Sequence, residues 1–407
     1  AGHLKLDNLI MIYDSNNITI EGNTSIAWSE NVEQRFKAAN WIVLEIDGHN
    51  FIEIDQAIVS AKNANKPCLI IANTIIAKGA DKMEGSHHAH GAPLGDIEIA
   101  KAKQKAGFDS KKTFHIDDDV LVRFRSIIEL GDLYEREWKH LLKELPLQEQ
   151  NEALNALLNP DFNKIVWPKF ETGTSIATRD SNGEILNALA RAIPGFLGGS
   201  ADLSPSNKTE LKDMGDFPKG KNLHFGIREH SMAGIANAMA LYGPLMPYTA
   251  TFFVFSDYLK PSARIAALSN IQQFFVWTHD SIGVGEDGPT HQPIEHLSQF
   301  RALPNFYVFR PADANENIES WKKAITMQAP SAFVCSRQKL PIMEYAPVKG
   351  DISKGGYLLS KQNNAQYTLM ASGSEVELAL KVQIALNKKQ INANVISVPC
   401  YDLLIEQ

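Results

Sequence analysis

Cysteine is scarce in this sequence. Three occur in 407 residues, Cys68, Cys335 and Cys400, far apart and with no C-x-x-C pair. That argues against a disulfide framework and a Cys-rich zinc site, and it fits a reducing cytoplasm. Long apolar runs are missing too: none approaches the ~18 residues needed to cross a bilayer, so no membrane partner is expected. Positive charge is not in excess. Lys and Arg total 40 against 47 Asp and Glu, a net charge of −7, which argues against nucleic acid as a partner. There is no internal repeat, no low-complexity segment and no signal-peptide pattern. Three N-x-[ST] triplets, at Asn17, Asn23 and Asn207, read as chance matches in such a chain.

What remains is an ordinary globular composition, 44% apolar and 21% charged, long enough for two or three domains. Short β-branched and aromatic runs predict strands at 9–13, 41–46, 68–74, 274–277, 306–309, 332–335, 367–371 and 395–398, mostly apolar on both faces as buried parallel strands are. Helical periods predict helices at 54–64, 96–106, 119–145, 181–193, 230–241, 256–268, 315–327 and 374–387. Ser374 and Glu377 form a candidate capping box for the last of these. The alternation means an α/β fold with parallel sheets flanked by helices. The charge-rich stretch 111–167 reads as a helical connector, and Pro347, Gly350, Gly355 and Gly356 mark a second boundary. The chain opens on Ala1 and reaches an apolar run within nine residues. Its final strand is followed by too few residues for another crossover. It reads as the middle of a longer chain.

Five clusters carry candidate chemistry. YDSNNITIEG (13–22) follows a strand, and its carboxylate, amide and carbonyl oxygens suit a hard cation holding a phosphate, or simply a polar turn. GSHHAHGAPLG (85–95) is an active-site loop of neutral imidazoles, a metal site or a solvated loop; adjacent His87 and His88 lack the spacing of a helical zinc site. GVGEDG (283–288) matches a dinucleotide fingerprint, but Pro289 and Pro293 break the helix that should follow. Glu286 and Asp287 would repel a pyrophosphate. In HFGIRE (224–229), Glu229 either pairs with Arg228 or meets a ligand nitrogen at a helix start; the small-residue helix MAGIANAMA (232–240) behind it would let another helix approach closely. In YTATFFVFSDY (248–258), Phe252, Phe255 and Tyr258 either clasp an aromatic ring or fill a core. Arg179, Arg310 and Arg337 each adjoin a strand-like run and are anion-binding candidates.

In this order the clusters resemble the transketolase family of thiamine-diphosphate enzymes, over essentially the whole chain. HHAHGAPLG (87–95), GGSADLSPSN (198–207), HFGIRE (224–229) and THDSIGVGEDGPTHQP (278–293) carry the resemblance, the last most specifically. The resemblance implies the thiamin-diphosphate-binding fold and a set of roles. Asn16 (side chain) and Ile18 (backbone carbonyl) would ligate the magnesium or calcium ion that holds the diphosphate. His90 would stand near the diphosphate and the reacting centre, with His87 beside it. Glu229 would bond the aminopyrimidine ring and promote proton removal by it. Phe252, Phe255 and Tyr258 would wall that ring, and Asp202 would lie near the thiazolium and the subunit interface. Asp287 and His291 would meet the first hydroxyls of a sugar. Arg179, Ser206, His279 and Arg337 would clamp its phosphate, and His90 would also contact substrate. Glu229, His90 and His291 are thereby the expected catalytic set.

The implied reaction moves a two-carbon ketol unit from a ketose phosphate, xylulose 5-phosphate, to an aldose phosphate, ribose 5-phosphate or erythrose 4-phosphate, in the pentose phosphate pathway. The implied assembly is a homodimer with active sites at the subunit interface. The division would be the remainder of a diphosphate-binding domain (1–110), a connector (111–167), a pyrimidine-binding domain (168–344) and an incomplete C-terminal domain (345–407). The family's upstream Gly-Asp-Gly metal motif is absent from this sequence. Two other readings stay open: dihydroxyacetone synthase, with formaldehyde as acceptor, and an inactive truncated remnant. An NAD-linked dehydrogenase rests only on the 283–288 glycines.

Overall fold

The structure, a computed structural model, describes residues 1–144, 148–344 and 352–407, without the side chains of 148–151. It divides into two compact units, 1–139 and 140–407.

The first unit carries strand β1 (Ile10–Ser15), the short hairpin β2 (Ile18–Thr19) and β3 (Gly22–Asn23), helix α1 (Val32–Ala38), β4 (Ile42–Asp47), α2 (Phe51–Lys62), β5 (Cys68–Asn73), α3 (Asp96–Lys105) and most of α4 (Asp118–Glu144). β1, β5 and β4 pair in parallel in that spatial order. α2 starts three residues before its expected position because the Asn50 side chain accepts from the Ile52 and Glu53 amides at 3.1 and 3.4 Å, an N-cap its apolar period does not reveal. The central strand β5 is buried, and Cys68 and Ile70 pack on Ala57 and Ala61 of α2. The expectation of strands covered on both faces fails at the edge strand β1, where Met11 and Ile12 are exposed.

The second unit runs through α5 (Gln148–Leu158), β6 (Ser175–Ala177), α6 (Thr178–Ala192), β7 (Phe196–Ser200), α7 (Ser204–Asn207), β8 (Asn222–His224), α8 (Glu229–Tyr242), β9 (Met246–Phe252), α9 (Ser256–Leu268), β10 (Phe274–Thr278), α10 (His296–Arg301), β11 (Tyr307–Phe309), α11 (Ala314–Ala324), β12 (Ser331–Cys335) and β13 (Lys339–Pro341). It continues through β14 (Tyr357–Ser360), β15 (Tyr367–Ala371), α12 (Glu375–Asn387), β16 (Ala393–Ser397) and α13 (Tyr401–Ile405). Six parallel strands form its main sheet, in the order β11-β12-β10-β9-β7-β8. β14, β16 and β15 form a smaller mixed sheet.

The strand period of two splits the aromatics of β10 between two cores. Phe274 and Val276 join Phe196, Tyr248, Trp321 and Phe333 on one face. Phe275 and Trp277 join Phe253, Phe300 and Phe306 on the other. Both faces are therefore covered, as a parallel sheet requires. The C-terminal segment contributes Cys400 and Leu403 to the first core, and Cys400 bridges to Phe309 of β11.

All eight expected strands form, each within a residue or two of its expected ends. The stretch 111–167 carries α4 and α5 and, among the described residues, no strand. The expected end of one helix at Leu145, and part of the expected break at Pro347 and Gly350, lie outside the described residues. Strands β7, β8 and β9 were not expected. β7 is hidden by Gly198 and Gly199, which read as a turn. In the sheet they are glycines of necessity: a Cβ on Gly198 would strike the Tyr248 carbonyl, and one on Gly199 the Leu223 carbonyl. Gly199→Ala is accordingly expected to destabilise the unit by about 3 kcal/mol; a denaturant midpoint unchanged at constant m-value would show that the strands can separate.

The capping box at Ser374 does not form. Ser374 has helical dihedrals and makes no cap hydrogen bond; its hydroxyl donates to Glu375 at 2.8 Å and accepts from Arg310 at 3.2 Å. Competition from a buried guanidinium draws the hydroxyl away from the helix amides.

Candidate active site

In parallel sheets the strand carboxyl ends form the crevice where ligands gather. In the second unit those ends bring most of the expected residues to one edge. Asp202 follows β7 in a left-handed conformation (φ 61°). Glu229 opens α8 five residues after β8 ends, Phe252 ends β9, His279 follows β10, and Ser336 and Arg337 follow β12. α6 is tied to this edge by its first residue: the Thr178 amide donates to Ser336 Oγ at 3.1 Å, and the Ser336 amide donates to Thr178 Oγ1 at 2.7 Å. That places Arg179 beside Arg337.

A directional chain of hydrogen bonds organises the cationic part. Arg179 donates to the Ser206 carbonyl at 3.0 Å and faces His279 Nε2 at 3.4 Å. Thr278 Oγ1 donates to Asn207 Oδ1 at 2.7 Å, so its contact with His279 Nδ1 at 2.8 Å is one in which the ring donates. Asn207 Nδ2 then donates to Ser200 Oγ at 2.8 Å, and Ser200 donates to the Ala250 carbonyl at 3.0 Å. These contacts assign the Nδ1–H tautomer to His279.

Burial first, then the Arg179, Arg337 and His291 charges, push the His279 pKa down to about 3. Between about 3 and 6.5 the unfolded chain binds a proton at this ring that the folded chain does not, so this group makes stability rise with pH across that window. The His279 ring resonances are expected to stay flat from pH 8 to pH 5 in an NMR titration; a midpoint near 6.5 would contradict the assignment. Arg179 Nε is buried without a partner among the described residues. Arg337 is held toward Glu286 at 3.1 Å and Asp287 at 3.9 Å. Two guanidiniums with donor capacity to spare form a site for a compact anion, and the neutral imidazole, its one N–H given to Thr278, fixes the position of Arg179 within it.

Beside it lies an aromatic recess. Phe252 and Phe255 are stacked with centroids 5.8 Å apart, and Tyr258 lies 6.2 Å from Phe255. His291 packs edge-on at 5.2 Å from Phe255 and 6.0 Å from Phe252, while the His279 ring lies 3.7 Å from Phe252. The core role goes to the intervening Phe253, fully buried and stacked on Trp277 at 5.4 Å. A cavity of about 560 Å³ opens here, lined by Ile227, Arg228, Glu229, Phe255 and Tyr258 among others. Glu229 is buried and accepts from Thr251 Oγ1 at 3.2 Å. Arg228 donates instead to the Phe225 carbonyl at 3.0 Å, and among the described residues no ion pair joins it to Glu229. A buried carboxylate with capacity for another donor, walled by aromatic rings, suits a flat heterocycle bearing an N–H.

In the first unit, Asn16 follows β1 and its Oδ1 accepts the Ile18 amide at 2.9 Å, leaving one lone pair for a cation. Ile18 lies in β2. His87 opens a single 3₁₀ turn that ends at Ala89, and His90 follows it, exposed. His49 was not singled out in the sequence. Its Nε2 accepts the Ile75 amide at 2.9 Å beyond β5; its place directly after β4 was the available signal.

Several expectations resolve differently. Arg310 is not an anion site: all five of its N–H donors are used within the protein, on Asp280, Ser372, Ser374 and Glu375. Residues 283–288 form a 3₁₀ turn and two left-handed glycines with no following long helix, so the dinucleotide reading fails. Asn207 is fully buried, as a chance triplet can be. Asn207, Thr278 and Asp280 were missed as organisers, although each lies inside a quoted motif. Among the described residues, Asp257, Glu295 and His296 place potential metal-binding atoms within 4.8 Å of one another. His296 Nδ1 accepts the Ile294 amide at 3.3 Å, so the nitrogen facing Asp257 at 3.3 Å carries the proton and is not a ligand.

Family models match along the chain: transketolase, thiamine diphosphate binding domain, over 1–160; transketolase, pyrimidine binding domain, over 174–343; and transketolase-like C-terminal domain over 355–407. A transketolase of Halalkalibacterium halodurans is 44% identical over 99% of this chain and 62% of its own length. The crystal structure of transketolase from Campylobacter jejuni superposes with a TM-score of 0.96 at 58% identity, over 100% of this chain and 64% of that one. A transketolase from Pichia stipitis, solved in complex with sedoheptulose-7-phosphate, gives 0.95 at 36% identity, over 100% of this chain and 63% of that one. The chain thus spans under two thirds of the length of these relatives. With three successive domain models matched in order and the fold reproduced throughout, the chain belongs to the transketolase family.

Proposed function

We propose that this chain carries the pyrimidine-side and substrate-side machinery of a thiamine-diphosphate-dependent ketol transferase. The observation that bears most weight is Glu229, buried at the start of α8 in an aromatic-walled cavity beside a cationic cluster. The residues present fit the cofactor's pyrimidine end. Glu229 would accept its ring N–H, Phe252, Phe255 and Tyr258 would stack on it, and Asp202 would stand near its thiazolium. Asn16 and the Ile18 carbonyl would hold a magnesium or calcium ion, an all-oxygen pair suited to a hard cation, with His90 near the diphosphate. Thiamine diphosphate, when bound, supplies a carbon nucleophile and electron sink that side chains lack.

The chain's own groups do the rest. Glu229 would fix the ring and favour proton transfer by it. His291, whose Nδ1 meets Thr290 Oγ1 at 3.0 Å, would exchange a proton with a sugar hydroxyl. Asp287 would test that hydroxyl's configuration. Arg179, Ser206, His279 and Arg337 would hold a terminal phosphate. The same clamp would hold the phosphate of the ketose donor in either reaction, so acceptor kinetics, ribose 5-phosphate against formaldehyde, separate the transketolase reading from dihydroxyacetone synthase.

The same reading includes the domain division at 110, 167 and 344, cytoplasmic residence in the pentose phosphate pathway, and a homodimer with active sites at its interface. Exposed Ile235, Leu241 and Tyr242 on α8 and Ile265 and Leu268 on α9 support the dimer. Among the described residues no helix is long and apolar enough to cross a membrane. The assay is conversion of xylulose 5-phosphate and ribose 5-phosphate to sedoheptulose 7-phosphate by the full-length protein with thiamine diphosphate and magnesium. Product formation is expected; none above background would refute the reading.

A further inference from the structure

The His279 backbone lies in the left-handed region, with φ 63°. A non-glycine residue held there costs on the order of 1 kcal/mol or more and persists only where the neighbours over-determine it. Its neighbour before, Thr278, is fixed by Asn207. Its neighbour after, Asp280, is fully buried and accepts from Arg310 Nε at 3.0 Å and from a second Arg310 nitrogen at 2.7 Å.

Arg310 spends its remaining donors on one turn of the C-terminal segment. It donates to the Ser372 carbonyl at 2.9 Å, to Ser374 Oγ at 3.2 Å and to Glu375. Its backbone is held as well, by the Pro399 carbonyl at 2.7 Å and by the Gly373 amide at 3.0 Å. Gly373 has φ 57° and lies so close that an added Cβ would fall 2.7 Å from Arg310 Nε and 2.8 Å from its Cζ. The turn is shaped to the guanidinium.

A buried ion pair is weak evidence for stability, because desolvation consumes most of its attraction. Its geometric effect is the more informative one. We propose that Arg310 is a positioning residue: clasped by the 372–375 turn, it fixes Asp280 and thereby the left-handed His279, so that the C-terminal segment sets the grip of the anion cluster on the substrate phosphate. This rests on the phosphate-clamp reading given above.

The test uses the full-length holoenzyme at saturating xylulose 5-phosphate, with ribose 5-phosphate or unphosphorylated glycolaldehyde as acceptor. Arg310→Met is expected to raise KM for ribose 5-phosphate about tenfold and to leave KM for glycolaldehyde within about twofold, with kcat moving less than the ribose 5-phosphate KM. Gly373→Ala pushes on the guanidinium without removing it, and keeps the test open should Arg310→Met fail to fold. It is expected to raise the same ratio by about threefold. Equal changes for both acceptors, or no change in either variant, would overturn the proposal. A wild-type protein that turns over but shows no preference for ribose 5-phosphate over glycolaldehyde would instead remove the clamp reading, and this proposal with it.

Discussion

Glu229→Gln in the full-length protein is expected to lower kcat for ketol transfer by about 10³-fold, within the range for removing a positioned acid–base group, while leaving the fold intact. The amide has the volume of the carboxyl and can keep the Thr251 contact. The cavity walls of Phe255 and Tyr258 do not depend on it. What it loses is the charge that makes a ring N–H its partner. The cofactor should therefore still bind, and circular dichroism and the melting temperature should stay near wild type. Near-normal kcat in a well-folded variant would detach Glu229 from the chemistry.

Arg179→Met should produce the second-largest effect, on substrate affinity. Arg179 is half-buried, its Nε is buried without a partner among the described residues, and desolvation pulls its pKa down. It remains charged at any physiological pH, because an arginine guanidinium does not deprotonate in proteins. A charge-assisted hydrogen bond to a phosphate is worth about 1.5–3 kcal/mol, so KM for ribose 5-phosphate should rise roughly 10- to 100-fold. Glycolaldehyde, which carries no phosphate, should be turned over with its KM nearly unchanged. A uniform loss on both acceptors would mean that Arg179 supports the sheet edge and binds no anion. Its amide does accept that duty in part, donating to the Ser336 carbonyl at 3.3 Å.

The parallel sheets were legible in the sequence because their strands are continuous apolar runs, as in FFVWT of β10. β7 was not, because its glycines answer to neighbours 24 and 50 residues away that no local pattern contains. The site was legible as motifs and not as roles. Three strand-flanking arginines looked alike in sequence. The structure separates them by what surrounds each. Arg310 is saturated by carboxylates and a turn. Arg179 has a donor unspent, and Arg337 rests on the rim carboxylates Glu286 and Asp287. Glu229 was ambiguous for a similar reason: adjacency to Arg228 in sequence implies a pair, but the start of a helix turns the two side chains to different partners. The tautomer of His279, and the Asn207–Thr278 contact that sets it, join residues 71 apart, beyond the reach of any spacing rule.

The central claim is that the Glu229 cavity binds an aminopyrimidine and promotes proton removal from the cofactor's thiazolium carbon. Hydrogen–deuterium exchange at that carbon, followed by NMR after acid quench with the cofactor bound to wild-type and Glu229→Gln full-length protein, tests it directly. Exchange accelerated by the wild type and reduced to the rate of free cofactor in the variant is the expected result. Equal acceleration by both proteins would contradict it.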